Sequence, residues 1–348
     1  MKKRVLATVL AGAMVMGLAG CGGSTTAATT AAAAAETTKA AEGAAAGDTQ
    51  AAAASTWEPS STVSIVVPAG AGGNTDLSAR VFAQYAKELT GHDFIVVNAN
   101  GAAGSVAANQ VLSAAADGHT FLYGHNLVNV ANIAGVTDYN YTAFKLGPTF
   151  AKDPAQQLYV NPEKYADLDA FIAAAKAAPG QLKACTEVGA YTYYELLDFE
   201  AKAGIDLDLV DVGSNSDKIA AMLSGQVDLM PGAYINCKDY LAAGQFVCLG
   251  VPSEERYDLI ADIPTLKEQG VDLVYPDCDF SFYFPADTSD DIIAFYENLV
   301  KQITEDPTAK EAIANVDMMP YYMNAEDSAK NDEEIYGTIK AIADELDK

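Results

Sequence analysis

Positive charge is what this sequence has least of. Its 348 residues hold 21 Lys and Arg against 47 Asp and Glu, a formal net charge of −26. A surface that acidic repels polyanions, which excludes nucleic-acid binding and docking on anionic lipid. It does not exclude capture of a small anion, because exposed charges farther away than about 8–10 Å are largely screened. Histidine is also scarce: His92, His119 and His125 are the three present. None adjoins a Ser or Cys in a nucleophile motif, and the G-x-S-x-G elbow is missing. No catalytic residue is expected. The five cysteines are not spaced as zinc ligands, and neither a metal nor a cofactor is expected. Beyond Gly20, no apolar run is long enough to span a bilayer.

The first fifty-six positions lack what a folded core needs. Lys2, Lys3 and Arg4 precede an apolar stretch from Val5 to Leu18, too short for a membrane span and read as a processed export leader, 1–20. It ends in Leu18-Ala19-Gly20-Cys21, which resembles the lipobox of bacterial lipoproteins. On that reading Cys21 carries the lipid and becomes the mature N-terminus, and the chain is three charges more negative without its leader. From 21 to 56 the sequence is almost wholly Ala, Thr, Gly, Ser and a few Glu, with no large aliphatic residue before Trp57. Such a segment cannot bury enough surface to offset its ordering entropy, so a disordered linker is expected. The protein is expected to be extracytoplasmic and tethered to the outer face of the cytoplasmic membrane, its bulk in water. The linker's length suits a thick Gram-positive wall.

The stretch from Ser61 to Arg80, STVSIVVPAGAGGNTDLSAR, carries the strongest signal. Val63, Ile65, Val66 and Val67 suit a strand covered on both faces. Pro68 ends it, and Gly70, Gly72 and Gly73 permit a tight turn. Asn74, Thr75 and Asp76 offer capping chemistry for a helix expected from about Leu77. Unpaired N–H groups and the helix dipole make such a start a ready anion site. It is not a dinucleotide fingerprint, which needs a third glycine, nor a phosphate loop with its Lys-Ser/Thr.

Strand and helix patterns alternate after Trp57, which argues for an α/β fold with largely parallel sheets. Helices are expected over 77–89, 167–178 and 217–223, and strands over 94–97, 120–123, 157–160, 182–186, 208–212, 225–230 and 245–251. A second strand–loop–helix, TEVGAYTYYELLDF, runs from Thr186 to Phe199. The chain crosses back over 275–284 and is mostly helical from Asp290. Two α/β units joined by two crossings describe a hinged clamp, with 57–157 plus 280–348 as one lobe and 158–279 as the other. Cys185, Cys237, Cys248 and Cys278 allow three full pairings in an exported chain, or none. His119 is expected to be structural and His92 exposed. Tyr191 is expected to reach a ligand and Tyr321 and Tyr322 to pack.

Local patterns in order along the chain resemble one family, the substrate-binding proteins of tripartite tricarboxylate transporters, or Bug proteins. The matching segments are Gly72-Gly73-Asn74-Thr75-Asp76 with Arg80; the loop from Val96 to Gly104; Asp117-Gly118-His119-Thr120-Phe121-Leu122; Ala175 to Gly180; Leu223 to Met230; Ala243-Gly244; and Ile263-Pro264-Thr265-Leu266. The resemblance implies a two-lobe, type II periplasmic-binding-protein-like (Venus flytrap) fold with a ligand cleft between the lobes. It implies a small carboxylate held by backbone groups at loop–helix junctions. One junction is Ala69, Gly70, Gly72, Gly73, Asn74, Thr75 and Asp76. The facing one is Glu187, Gly189, Tyr191 and Thr192, with His125, Asn126, Asp211, Gly213 and Ser214 on the remaining walls. Asp76 and Arg80 stand at i and i+4 and can brace the turn.

The chain departs from the family pattern in places. Ala69 stands where Phe is usual, and Asp211 and Val212 replace a Tyr and a basic residue. Glu187 is an additional acid. Two added carboxylates and a lost cation weaken the case for a tricarboxylate and favour a ligand with an ammonium group, which Glu187 or Asp211 would meet, or one bound with a metal ion; the alternative is that both acids simply face solvent. The role implied is a monomeric solute receptor that hands an organic acid or amino acid to membrane permease subunits. A ligand-sensing lobe for a signalling partner and, less favoured, a surface enzyme are the alternatives.

Overall fold

A computed structural model describes residues 55–154, 156–187 and 189–346. The leader, Cys21 and the linker up to residue 54 lie outside the described residues. From Val63 onward the order is β1 (Val63–Val67), α1 (Asn74–Thr90), β2 (Phe94–Asn98), α2 (Ser105–Leu112), β3 (Thr120–Gly124), α3 (Leu127–Ile133) and β4 (Phe144–Asp153). There follow β5 (Gln157–Val160), α4 (Leu168–Ala177), β6 (Lys183–Thr186), α5 (Tyr191–Ala203), β7 (Asp208–Asp211), α6 (Asn215–Leu223), β8 (Leu229–Gly232), α7 (Tyr234–Ala242) and β9 (Val247–Gly250). The chain closes with β10 (Cys278–Pro285), α8 (Asp290–Glu305), α9 (Pro307–Ala314), β11 (Met319–Met323) and α10 (Ala325–Leu346).

The strands form two sheets. One is six-stranded, in the order β11-β4-β10-β3-β1-β2; the other is five-stranded, β7-β6-β8-β5-β9. The chain leaves the first sheet after Asp153 and returns to it at Cys278. β1 pairs in parallel with both β2 and β3, and β6 in parallel with both β7 and β8. The remaining pairings, through β4, β5, β9, β10 and β11, are antiparallel. The expectation of largely parallel sheets is therefore corrected: β4, which leaves the first sheet, runs with β1, but β10, which returns to it, and β11 run against β1, and β5 runs against β6.

β1 is an interior strand, and Val63, Ile65, Val66 and Val67 are wholly buried. Around it pack Phe82, Phe121, Phe150, Phe280, Phe282, Phe284 and Tyr296, with Phe121 stacked on Phe282 at 4.7 Å between centroids. Each such aromatic contact adds about 0.5–1.5 kcal/mol beyond its buried area. The second sheet has its own core, where Leu158, Val160, Phe171, Phe199 and Leu229 are buried. The Asp117-Gly118-His119 turn is built on close approach. Gly118 has φ +84°, and a Cβ there would lie 2.6 Å from the Trp57 ring. His119 accepts the Ser60 N–H at 3.0 Å and meets Trp57 edge-on, a structural role. His92 is half-buried rather than exposed.

Cys185, Cys237, Cys248 and Cys278 are all free thiols. Burial pushes Cys185 up to about 11 and Cys237 and Cys248 up to about 12, so they behave as small apolar side chains.

Candidate functional site

A cleft of about 870 Å³ opens where strands of both sheets end. Its walls follow the carboxyl ends of β1, β2 and β3 on one side and of β6, β7 and β8 on the other. This is where α/β sheets place ligands, because the loops there lead into helix N-termini.

On the first side, Pro68 to Thr75 carry the chain from β1 into α1. Gly72 has φ +85°, a conformation that suits glycine. The helix begins at Asn74, not Leu77, so Asn74, Thr75 and Asp76 form its first turn instead of capping it. The N-cap is Gly73, and no side chain caps the start. Asp76 does not line the cleft. It is buried and accepts from Arg80 Nε at 3.0 Å, Arg80 Nη2 at 2.8 Å, the Gly72 N–H at 2.9 Å and Asn98 Nδ2 at 2.9 Å. Burial alone would raise this carboxyl, but Arg80, Gly72 and Asn98 together hold it below the usual range. Asp76 thus fixes the turn from behind.

The loop after β2 supplies the next wall, Asn100 to Gly104. Gly101, Ala102, Ala103 and Gly104 all have positive φ, at +121°, +48°, +50° and +86°. A left-handed backbone at alanine costs about 1–2 kcal/mol per residue, and such a run turns N–H groups toward one concavity. The Ala103 N–H donates to Glu187 Oε1, on the opposite side of the cleft, at 3.2 Å. After β3, His125 lines the cleft while Asn126 does not. The ring packs edge-on to Tyr191 and Phe280. Burial drives it down to about 4, against the Asn126 amide at 2.9 Å, so the imidazole is neutral at pH 7.

The facing side comprises Glu187, Tyr191, Thr192, Asp211, Gly213 and Ser214, all on the cleft. α5 starts at Tyr191 with no side-chain cap, whereas α6 has a full capping box between Ser214 and Asp217. Gly189 is not on the cleft; a Cβ there would lie 2.9 Å from Ala134 Cβ. Tyr191 is anchored rather than free, since its hydroxyl donates to the Pro276 carbonyl and Tyr275 donates to its own carbonyl at 3.1 Å. Asn236, on α7, spans the cleft and donates to the Gly72 carbonyl at 3.3 Å.

The residue that sequence reading missed is Lys218. It lines the cleft from α6, is 6% exposed, and donates to Thr192 Oγ1 at 3.4 Å. A cation, counted as lost at Val212, thus lies on the cleft from the following helix, at a position that reads as a surface lysine between the polar Ser214-Asn215-Ser216-Asp217 and the apolar run from Ile219. Asn100 to Gly104, Asn215, Ser216 and Asn236 were likewise not assigned to the site, although the glycine loop itself was recognised.

A family model described as the tripartite tricarboxylate transporter family receptor matches residues 78–347. The chain is 30% identical over 296 residues to a Cupriavidus necator protein described as "UPF0065 protein in gbd 5'region", covering 83% of this chain and 88% of that one. Among solved structures, the periplasmic binding protein BugD is similar with a TM-score of 0.75 at 20% identity, over 83% of this chain and 98% of that one. MatC from Rhodopseudomonas palustris with bound malate is similar with a TM-score of 0.74 at 22% identity, over 82% of this chain and all of that one (100%). At these identities the structural likeness is one of fold.

Proposed function

The chain belongs to the tripartite tricarboxylate transporter receptor family, and on that premise we propose that it captures a small carboxylate-bearing metabolite, an organic acid or amino acid, and presents it to the permease. Members of this family are extracytoplasmic solute receptors rather than enzymes, and no helix of the described residues is long and apolar enough to cross a membrane. In the proposed cycle 57–157 plus 280–348 act as one lobe and 158–279 as the other. The protein works as a monomer, and Cys21 carries the lipid anchor after removal of 1–20.

The observation that carries the ligand reading is that α1 and α5 both begin uncapped on one cleft. Backbone donors at such starts hold a carboxylate without needing a net positive protein. Ala69, Gly70, Gly72, Gly73, Asn74 and Thr75 would grip from one side, and Thr192, Gly213 and Ser214 from the other, with Tyr191 and neutral His125 closing over the ligand's apolar body. Glu187 and Asp211 would accept from an ammonium group where the ligand has one. The malate bound in MatC supports a ligand of this size and class.

Thermal melting and titration calorimetry against a panel of dicarboxylates, monocarboxylates and amino acids test the proposal. A ligand that binds only the folded state raises Tm in proportion to its concentration over Kd. A panel without any saturable shift, or one in which a compound is turned over, would reject it.

A further inference from the structure

Lys218 is the only Lys or Arg among the described residues that line the cleft. An ammonium carries three N–H donors. This one makes a single long bond, 3.4 Å to Thr192 Oγ1, and that hydroxyl is already paired with Thr186 Oγ1 at 2.8 Å. Cys185, Glu187, Glu195 and Asp211 surround it electrostatically, but no described carboxylate forms an ion pair with it. Glu195, one turn below Thr192 on α5, is wholly buried, and neither of its carboxyl oxygens has a partner. Burial lifts that carboxyl well above the usual range and lowers the Lys218 ammonium, while the attraction between the two opposes both shifts.

A buried ammonium with so few acceptors is costly unless something else completes its shell. The open side of Lys218 is the cleft itself. We propose that Lys218 is the specificity-determining residue of the receptor: its ammonium pairs with a second carboxylate of a ligand whose first carboxylate sits at the start of α1, so the protein selects dicarboxylates over monocarboxylates of equal length. This inference rests on the receptor reading above. Glu187 and Asp211, the two carboxylates on the cleft, oppose the approach of an anionic end, so the pairing requires Lys218 to outweigh them.

Calorimetric titration of the wild-type protein with succinate, glutarate and adipate beside butyrate, pentanoate and hexanoate tests it. At least one diacid should bind at least tenfold tighter than the monoacid of its length. Lys218→Met should lower that diacid's affinity about ten- to a hundredfold, the size of one charge-assisted hydrogen bond, and remove its lead over the monoacid of the same length. Lys218→Arg should restore part of the preference. A wild-type protein that binds diacid and monoacid equally overturns the inference without any variant, and so does a folded Lys218→Met protein that keeps the preference; both leave the receptor reading intact. A wild-type protein that binds none of the six compounds overturns the inference together with its claim on carboxylates.

Discussion

Glu187 reaches over the cleft to the Ala103 N–H, 3.2 Å away, and so places a carboxylate of the protein in the concavity formed by the left-handed run from Gly101 to Gly104. The contact joins the loop after β6 to the loop after β2, which belong to different sheets. With Asn236 on the Gly72 carbonyl, it forms a polar strap across the cleft. Glu187→Ala should release it. A partly exposed charged hydrogen bond of this kind contributes about 1 kcal/mol, enough to shift a near-balanced open–closed equilibrium several-fold. Small-angle scattering should give the ligand-free variant a larger radius of gyration than the wild type, with the ligand-saturated forms alike. Equal radii in the ligand-free state would show that the strap does not hold the cleft.

Asp153 gives the fold a dependence on pH. It ends β4, where the chain leaves the first sheet, and it accepts from Asn74 Nδ2 at 2.7 Å, which ties that crossing to the first turn of α1. Burial pushes its carboxyl up to about 7; Asn74 opposes this, and the Asp277 and Asp317 charges add to it. Lys152 pairs with Asp277 and Asp279, and Lys238 with Asp317, and neither bonds Asp153. The unfolded chain loses this proton near pH 4 and the folded one near pH 7. Between those values the folded state binds more protons, so the Asp153 contribution to stability falls as pH rises and is flat above pH 7. Asp153→Asn keeps an acceptor for Asn74 and removes the slope. Urea unfolding should find the variant more stable at pH 8, by on the order of a few kcal/mol, with the gain gone at pH 4.

His125 works in the opposite sense. Its folded value of about 4 lies below the ordinary 6.5, so the unfolded state binds the extra proton between those values, and the His125 contribution to stability rises with pH over that range. His125→Gln should flatten this part of the acid-unfolding profile. Because the ring is already neutral at pH 6, ligand affinity measured from pH 6 to 8 should carry no histidine titration. A midpoint near 6.5 that vanishes in His125→Gln would show the ring to be protonated in the cleft.

The elements that could be read from sequence are those whose local pattern and tertiary role agree. β1 is buried on both faces and reads as an unbroken β-branched run. α4 begins at Leu168 behind Asp167, whose side chain accepts the Ala170 N–H as its composition suggests. The failures have physical causes too. β4 is the longest strand, yet it contains Gly147-Pro148, and the pairing with β10 shifts register at that point. Two residues there oppose one, which relieves proline of a ladder donor and erases the strand signal. β11 holds Pro320 for the related reason that it is an edge strand. α3 buries four consecutive residues and α7 only Cys237, so neither shows an apolar stripe at helical spacing.

At the cleft, the glycine turns were legible because backbone geometry constrains residue type. Side-chain direction was not. Asn74 and Thr75 were expected to cap α1 and instead form its first turn, since Gly73 takes the cap position. Lys218 was invisible because its burial depends on how α6 packs on β8 and on the meeting of its ammonium with Thr192 of α5, tertiary facts with no periodic mark. Asp76 was legible only in part. Its spacing from Arg80 was evident, but the Gly72 and Asn98 donors that converge on it come from the turn and from β2.

That convergence makes Asp76 and Arg80 unequal partners. The Arg80 side chain is 51% exposed and that of Asp76 only 2%. Arg80→Ala removes an ion pair open to solvent, worth about 0.2–1 kcal/mol, and leaves Asp76 bonded to Gly72 and Asn98. Asp76→Ala removes the acceptor shared by all three donors and leaves the Gly72 N–H and the Asn98 amide without it, a loss of about 2–4 kcal/mol. Chemical denaturation should therefore rank Asp76→Ala well below Arg80→Ala, and the double variant should be hardly less stable than Asp76→Ala alone, because without Asp76 the arginine keeps only an exposed contact with Asn98 Oδ1 at 3.4 Å. The same order should appear in ligand affinity, since only Asp76→Ala frees the turn that leads into Asn74. Equal losses for the two single variants, with additive loss in the double, would mean that the pair acts as an ordinary surface ion pair and that the turn is held by its own backbone.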